Sequence, residues 1–260
     1  MSDLFDRLER VSDEQQARLD KIVQWMYEVA DPWMRDGRNA RPEPGSDLAS
    51  DDAQPLVNSP IAHRAIVMGL DHLGGVVDAV AAGPPKRLKA HFTVLRTALL
   101  CGTRACWLLE PDEPNERRLR AIQYRFENLE QQRKAIQDLK GTHIAGDTEA
   151  ARQQALETIQ AHTAVLSEHA VALGAEKLIE PPDTVRLLKG MVDTNTDVGA
   201  SFIQLWRTGS ASAHGHYWDD DMREDPRRFD HEGFQPAIQG AMLMINDALL
   251  LWSRRSTAPA

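Results

Sequence analysis

Proline and glycine divide this sequence into stretches in which apolar residues recur with the period of an α-helix. The dividing positions are Ser59-Pro60, Gly83-Pro84-Pro85, Pro111, Pro114, Gly141, Gly174 and Pro181-Pro182. Because proline is tolerated at the first position of a helix and glycine is favoured just beyond the last, these residues predict where helices begin and end. The connections are short, which favours antiparallel packing of successive helices. The pattern therefore predicts an all-α fold, an antiparallel helical bundle.

The residue composition also favours helices over sheets. Ala, Leu, Glu, Gln and Arg outnumber the β-branched residues. The former are strong helix formers, whereas strands are enriched in β-branched and aromatic residues. The helices predicted after residue 58 cover 59–82, 85–110, 114–139, 147–173, 184–191, 198–214 and 233–254. An earlier helix is predicted behind the capping-box pair Ser12 and Gln15.

The N-terminal quarter of the chain differs in charge and in patterning. Residues 1–59 hold 13 Asp or Glu and seven Lys or Arg, and residues 36–58 are rich in Pro, Asp, Ser and Gly without any helical period. Such a composition is typical of a flexible linker. We therefore predict an acidic N-terminal helix plus flexible linker over residues 1–58, an extension to a helical bundle domain over residues 59–255.

Several features indicate a cytoplasmic protein outside the membrane. The N-terminus is charged from its third residue and has no apolar signal core. The longest apolar stretch, Ala237 to Trp252, is short and is interrupted by polar residues, so it predicts a buried helix. Cys101 and Cys106 lie five residues apart, a spacing that suits no local disulfide and favours a reducing compartment.

The charge distribution bears on nucleic-acid binding. A net charge of −9 argues against a general nucleic-acid binder, yet no acidic residue occurs between Ala79 and Leu109, and the next helix is rich in arginine. A locally basic surface would guide RNA, and the candidate contacts are Arg96, Arg104, Arg117, Arg120 and Arg125. The alternative is that these residues are solvated helix faces with partners four positions away.

A polar stripe emerges from an otherwise apolar helix near residue 210. Arg207 and His214 are seven positions apart, almost two helical turns, so they project from nearly the same side, with Ser210 between them. The small residues Gly209, Ala211, Ala213 and Gly215 alternate with them. Small side chains leave this region open to close approach by a ligand or a second helix. We therefore predict a functional site here.

The arginine, six residues and histidine in RTGSASAHG resemble the motif of HEPN-superfamily proteins, helical bundles that include many metal-independent endoribonucleases of toxin and phage-defence systems. Over residues 60–252, the segments DHLGGVVDAV, FTVLRTALLCGTRACWLLEPDEPNERRLR and WRTGSASAHGHYW resemble an uncharacterised family of helical proteins frequent in actinobacteria. The resemblance implies a HEPN-like bundle that needs no metal or cofactor. It also implies a homodimer in which two copies of the motif face each other, with RNA and a protein antitoxin or regulator as partners.

The resemblance implies a role for each residue of the motif. His214 would take the proton from the ribose 2′-OH or protonate the leaving oxygen, because an imidazole titrates near neutral pH. Arg207 would hold the phosphate through its guanidinium and neutralise the charge that develops on it. Ser210 completes the catalytic candidates, and His216 joins the residues expected to contact RNA.

Other interpretations of the same residues stay open. Arg207, Ser210 and His214 could cap the end of their helix and pair with Asp219 to Asp221. His214 and His216 with these aspartates contain the residue types of a metal site, although no second cluster has matching spacing. A serine hydrolase would need a strained G-x-S-x-G turn that the sequence lacks. The alternative from a different class is a non-enzymatic, homo-oligomeric interaction protein.

Overall fold

The computed structural model describes residues 12–52, 58–83, 87, 89–138 and 149–259, and every regular element within these ranges is a helix. In chain order they are α1 (Asp13–Trp25), a π-helical turn (Met26–Ala30), α2 (Asp31–Arg35), a 3-10 turn (Gly37–Ala40), α3 (Asp47–Asp51), α4 (Ser59–Ala81), α5 (Ala90–Leu109), α6 (Pro114–Asp138), α7 (Glu149–Ala172), α8 (Thr184–Met191), α9 (Asp197–His214) and α10 (His231–Ser256). The predicted all-α fold is confirmed.

Most of the predicted helix ends follow the residues that marked them. Ser12 and Gln15 form the capping box at the start of α1. Gly83 and Gly174 adopt left-handed conformations, with φ of 82° and 95°, just after α4 and α7. Glycine adopts this conformation without the steric cost that other residues meet. The predicted helix end at Gly141 and the predicted cap at Asp147 lie outside the described residues.

The chain forms two compact units that divide it differently from the predicted boundary at residue 58. The first unit comprises residues 1–50, 59–110 and 183–260, and the second comprises 51–58 and 111–182. The N-terminal helices thus belong to the same compact unit as α4, α5, α9 and α10. The middle of the predicted bundle forms the second unit.

Helix α5 is the centre of the first unit, where 13 of its 20 residues are buried. It contacts α4, α9 and α10, so apolar residues occupy nearly its whole circumference. At Gly102 a β-carbon would lie 2.9 Å from Met244 Cγ and 3.1 Å from a backbone carbon of α10. Only glycine permits so close an approach of these two helices.

The helices around α5 do not all run in opposite directions. Ser212 and Gly209 of α9 meet the start of α5, and this order makes α5 and α9 antiparallel. In contrast, Met244 contacts Gly102 and Arg255 bonds to the Leu109 carbonyl, so α10 runs parallel to α5. Helices that are distant in sequence are free to pack in parallel, because no short connection constrains them.

The N-terminal helices pack onto the first unit. Leu19, Ile22 and Met26 are buried, and the Trp25 Nε1 atom donates to the Asn246 side chain at 3.3 Å. Further along, Leu48 of α3 is 1% exposed. The described part of the predicted linker is therefore partly helical and packed, because a buried leucine gains as much from tertiary contact as one in a periodic helix.

The second unit is built on α6 and α7. Its apolar cluster consists of Ile122, Leu166 and Ala170, with half-buried residues such as Phe126 and Leu129 against it. Asp51 is fully buried and pairs with Arg117 through two hydrogen bonds of 2.6 and 3.1 Å. Unlike α5, α6 buries only three of its 25 residues.

Among the described helices, α5 has the length and the apolar character that a membrane span requires. Its most apolar window is 61% buried, as in the core helix of a folded unit. The other apolar stretch, Ala237 to Trp252, lies within α10 and contributes buried residues to the same core.

Candidate functional site

The helix that carries the motif is defined at both ends by its own residues. The Thr196 hydroxyl accepts a hydrogen bond from the Gly199 N–H at 3.1 Å and caps the start of α9. Phe202 and Leu205 are buried and hold the helix against the core. At the other end Gly215, with φ of 71°, stops the helix directly after His214. His214 therefore occupies the last helical position.

Arg207 and His214 both project into solvent from the face of α9 that lies opposite Leu205 and Gly209. Seven residues correspond to a rise of about 10 Å along the helix. The Arg207 guanidinium carbon lies 4.6 Å from the centre of the Trp206 ring. Within the described parts of the chain, neither side chain forms a hydrogen bond or an ion pair. The pairing of Arg207 with Asp219 to Asp221, which was the alternative interpretation, does not occur there.

Ser210 lies between them and is half-buried. The part of the chain that the structure describes offers it no hydrogen-bond partner, and it is not bonded to His214 as a nucleophile would be bonded to its base. Its predicted catalytic role stays a prediction. Ser210 and His214 nevertheless lie on the same surface of α9.

The small residues between them were expected to permit close approach by a ligand or a second helix, and at Gly209 the helix that approaches is α5 of the same chain. Gly209 faces α5, and a β-carbon there would lie 2.5 Å from both Arg96 Cβ and the Phe92 carbonyl oxygen. Ala211 is 2% exposed. These positions are small because α9 packs closely on α5 within the same chain. Only Ala213 and Gly215 are exposed.

Two of the predicted RNA contacts lie on α5. Arg96 is half-buried beside Gly209, burial lowers its pKa, and its buried Nε atom has no hydrogen-bond partner among the described residues. Its aliphatic stem packs against α9. Arg104 is also half-buried. Both residues belong to the same compact unit as the motif.

The other three predicted RNA contacts lie on α6, in the second unit, and for Arg117 the prediction is wrong. Its side chain is 2% exposed, and besides Asp51 it bonds to the carbonyl oxygens of Pro111 and Asp112 at 2.9 and 2.7 Å. Four of the five N–H donors of this guanidinium are used, and its burial keeps the side chain away from a phosphate in solution. Arg120 pairs with Glu116, while Arg125 is exposed.

Ser212 and Lys89, which the sequence did not mark as candidates, fix the end of α9. The Ser212 hydroxyl donates to the Lys89 carbonyl oxygen at 2.9 Å and accepts from the Thr93 hydroxyl at 2.8 Å. The Lys89 ammonium then pairs with Asp219 and Asp220, each at 2.6 Å. Burial alone would lower the pKa of Lys89, but its bonds to the two carboxylates outweigh burial and raise the pKa. Asp219 and Asp220 follow the motif closely, so the sequence indicated that they could fix the end of α9. Their partner, Lys89, could not be identified because it lies 130 residues before Asp219.

We name the segment 212–220, which is bound at both ends to Lys89, the clamped loop. It carries His214, His216 and Tyr217, all exposed, and Tyr217 is 71% exposed. Trp218 is 39% exposed, whereas Trp107 and Trp252 are buried in the core. The clamp thus presents aromatic and imidazole rings to solvent from a fixed backbone.

A metal centre at this loop was the rival interpretation of the histidines. Across the described ranges, no three His, Cys, Asp or Glu side chains converge closely enough to hold a metal ion. Lys89 already occupies Asp219 and Asp220. The chemistry available on this surface is therefore that of imidazole, guanidinium and hydroxyl groups.

Comparison of the chain with protein-family models, with curated proteins and with solved structures found no match.

Proposed function

We propose that this protein is a metal-independent endoribonuclease of the HEPN type, which binds and cleaves RNA at the exposed face of α9. The observation that supports this most strongly is that Arg207 and His214 share one solvent-facing stripe and are not consumed by bonds to the described residues. Charged side chains that merely stabilise a fold are usually paired when they are held rigidly, as Arg117 is. Arg207 is available to bind a ligand.

The proposed roles follow from the chemistry of the two groups. The guanidinium of Arg207 binds the phosphate with two parallel hydrogen bonds, and its stacking on Trp206 limits the orientations that it samples. The imidazole of His214 transfers a proton to or from the reacting oxygen. A helix C-terminus carries partial negative charge, so side chains must supply the positive charge that attracts the phosphate.

Dimerisation is part of the proposal. Arg207 and His214 are separated by about 10 Å along the helix, too far for both to contact one phosphate unless the arginine lies along the helix surface. A second copy of α9 would bring its arginine to the first copy's histidine. We therefore expect a homodimer, and light scattering at micromolar concentration measures it.

The experiment compares the wild type with His214→Ala and Arg207→Lys on labelled RNA. His214→Ala should slow cleavage at least about 10²-fold, because it removes the proton-transfer group. Arg207→Lys should also fail, because an ammonium cannot reproduce the bidentate contact. EDTA should not inhibit, and the products should carry a 2′,3′-cyclic phosphate and a free 5′-OH.

Matched controls separate catalysis from contamination and from general charge effects. His162→Ala removes an exposed histidine of α7, and Arg186→Lys alters an exposed arginine of α8. Both controls should cleave like the wild type, and DNA of the same sequence should survive because it lacks the 2′-OH. Equal cleavage by the wild type and His214→Ala would remove the case for an enzyme.

A second candidate function is that of a non-enzymatic interaction protein, and the exposed side chains beside the motif favour it. Tyr217 and Met222 are 71% and 77% exposed, which is unusual for large apolar groups held near a fixed loop. If the loop is an interface between copies of this chain, Tyr217→Ala with Met222→Ser should abolish self-association in light scattering, and the wild type should not cleave RNA.

A further inference from the structure

The turn that ends α9 brings a second histidine next to the first. Gly215 adopts a left-handed conformation, the His216 N–H donates to the Ala211 carbonyl at 2.9 Å and the Gly215 N–H donates to Ser212 at 3.4 Å. These two bonds form a Schellman motif, which folds the chain back over the last turn. As a result the His214 and His216 rings lie with centres 6.1 Å apart.

The backbone that carries this pair is held on both sides. Ser212, before the pair, is bound to the Lys89 carbonyl, and Asp219, after it, is bound to the Lys89 ammonium. One residue at the start of α5 therefore anchors both ends of the clamped loop. The backbone positions of the two histidines are therefore held before any ligand arrives, which favours proton transfer by their side chains.

We propose that His214 and His216 act together as the base and the acid of RNA cleavage, so that both proton-transfer groups come from one chain. This inference depends on the proposed endoribonuclease function. His216 was expected only to contact RNA, and we now assign it the role of the acid that protonates the leaving 5′-oxygen. The partner copy would then be needed for phosphate binding by Arg207 and not for a second histidine.

The reaction balances with these two groups alone. Neutral His214 accepts the proton of the ribose 2′-OH while the 2′-oxygen forms a bond to phosphorus. The bond from phosphorus to the 5′-oxygen breaks, and protonated His216 gives its proton to that oxygen. The products are a 2′,3′-cyclic phosphate and a 5′-OH, and the two imidazoles have exchanged protonation states.

The separation of the rings suits this division of labour. Each imidazole must lie within one hydrogen-bond length, about 2.8 Å, of its own oxygen of the phosphodiester. Rings whose centres are 6.1 Å apart can contact the attacking and the leaving oxygen of one phosphodiester at the same time. Charged groups near the pair are Arg207 on α9, Lys89 before α5, and Asp219, Asp220, Asp221 and Arg223 in the following segment. Lys89 pairs with both Asp219 and Asp220, and Arg223 pairs with Asp220, which limits their effect on the histidines.

The test uses RNA in which sulfur replaces the bridging 5′-oxygen at the cleavage site. A thiol is far more acidic than an alcohol, so a thiolate leaves without needing a proton from the protein. His216→Ala should cleave ordinary RNA at least about 10²-fold more slowly than the wild type. On the sulfur substrate His216→Ala should recover nearly the wild-type rate, while His214→Ala should stay slow. His162→Ala, an exposed histidine on α7, is the matched control and should behave like the wild type on both substrates.

Each result decides the matter when both substrates are presented as pools of randomised sequence. If His214→Ala is inactive but His216→Ala cleaves ordinary RNA at the wild-type rate, the endoribonuclease function survives and the second role of His216 is overturned. If both variants recover on the sulfur substrate, or if neither does, His216 is not the acid. If the wild type cleaves neither pool, both the proposed function and this inference fail.

Discussion

The two compact units are stabilised by different means. In the first unit α5 buries 13 of 20 residues among α4, α9 and α10, whereas in the second unit α6 buries three of 25. One of those three is Arg117, held by the fully buried carboxylate of Asp51. A helix surrounded by neighbours can be apolar on every side. In the second unit, removal of one partner of the buried ion pair would leave the other charge buried and uncompensated.

Two arginines, one in each unit, have different roles although the sequence around them does not distinguish them. Arg117 is enclosed and bonded to two carbonyl oxygens and a carboxylate, whereas Arg207 projects from the solvent face of α9. Neither the residue type nor the neighbouring sequence separates the two. Burial separates them, because a buried guanidinium must be fully paired and an exposed one need not be.

The largest expected effect is the loss of the buried ion pair in the second unit. Arg117→Ala should lower the free energy of unfolding by about 3–5 kcal/mol, because it leaves the Asp51 carboxylate buried without its main partner. Chemical denaturation followed by circular dichroism measures this. The matched control is Arg120→Ala, which removes the more exposed pair with Glu116 and should cost less than about 1 kcal/mol. Equal losses in the two variants would mean that Arg117 does not stabilise the second unit through its burial.

Truncation of one leucine in each unit tests the difference in packing between α5 and α6. Leu99→Ala at the centre of α5 should cost about 2–5 kcal/mol, because Leu99 is 0% exposed and its removal leaves a cavity. Leu129→Ala on α6 should cost about 1 kcal/mol, since its side chain is only half-buried. Both losses are read from denaturant titrations. Similar costs at the two positions would contradict the difference in packing.

A smaller effect is expected from pH. Burial lowers the pKa of His63 below its usual value of 6.5, and its ring lies 5.3 and 5.4 Å from those of Trp33 and Trp252. As the pH falls, His63 is protonated at a higher pH in the unfolded chain than in the folded chain. The contribution of neutral His63 is therefore complete above pH 6.5 and is lost as the pH falls through the lowered pKa. His63→Phe should make the melting temperature depend less on pH between 7 and 5, and an unchanged pH dependence would exclude this role.

The smallest effect concerns the thiols of α5. Burial raises the pKa of Cys106 to about 12, and it raises the pKa of Cys101 as well. At pH 8 roughly one Cys106 in 10,000 is then a thiolate, the form that reacts with disulfide reagents. Labelling with a chromogenic disulfide should be slow in the folded protein and rapid in denaturant. Rapid labelling of the folded protein would indicate that α5 is less enclosed than its contacts imply.

Helix positions could be predicted well because their signals are local. Ser12 and Gln15 cap α1, and Gly83 and Gly174 follow α4 and α7 in the conformation that glycine allows. The packing of residues 36–52 could not be predicted, because it depends on single contacts such as the burial of Leu48 and the bond from Arg255 to Asp47. Such single contacts produce no repeating pattern of apolar residues from which they could be predicted.

In the candidate site, too, local features could be predicted and long-range contacts could not. The spacing of Arg207 and His214 was enough to predict that they share a side of one helix, since helical geometry alone determines it. The clamp at Lys89 was not predictable, because Ser212 and Asp219 reach it from more than 100 residues away. The role of Gly209 as a close contact with α5 likewise depends on which helix lies beside it.

By itself the sequence determined an all-α chain, the ends of most of its described helices and one stripe of polar residues on α9. These features follow from backbone conformation and from the helical period, which act over a few residues. Only the tertiary contacts specify which charges are buried, that Gly209 is a contact point with α5 and that Lys89 holds the segment on which His214 and His216 lie. Those outcomes depend on residues that meet only after folding, so no local pattern could specify them.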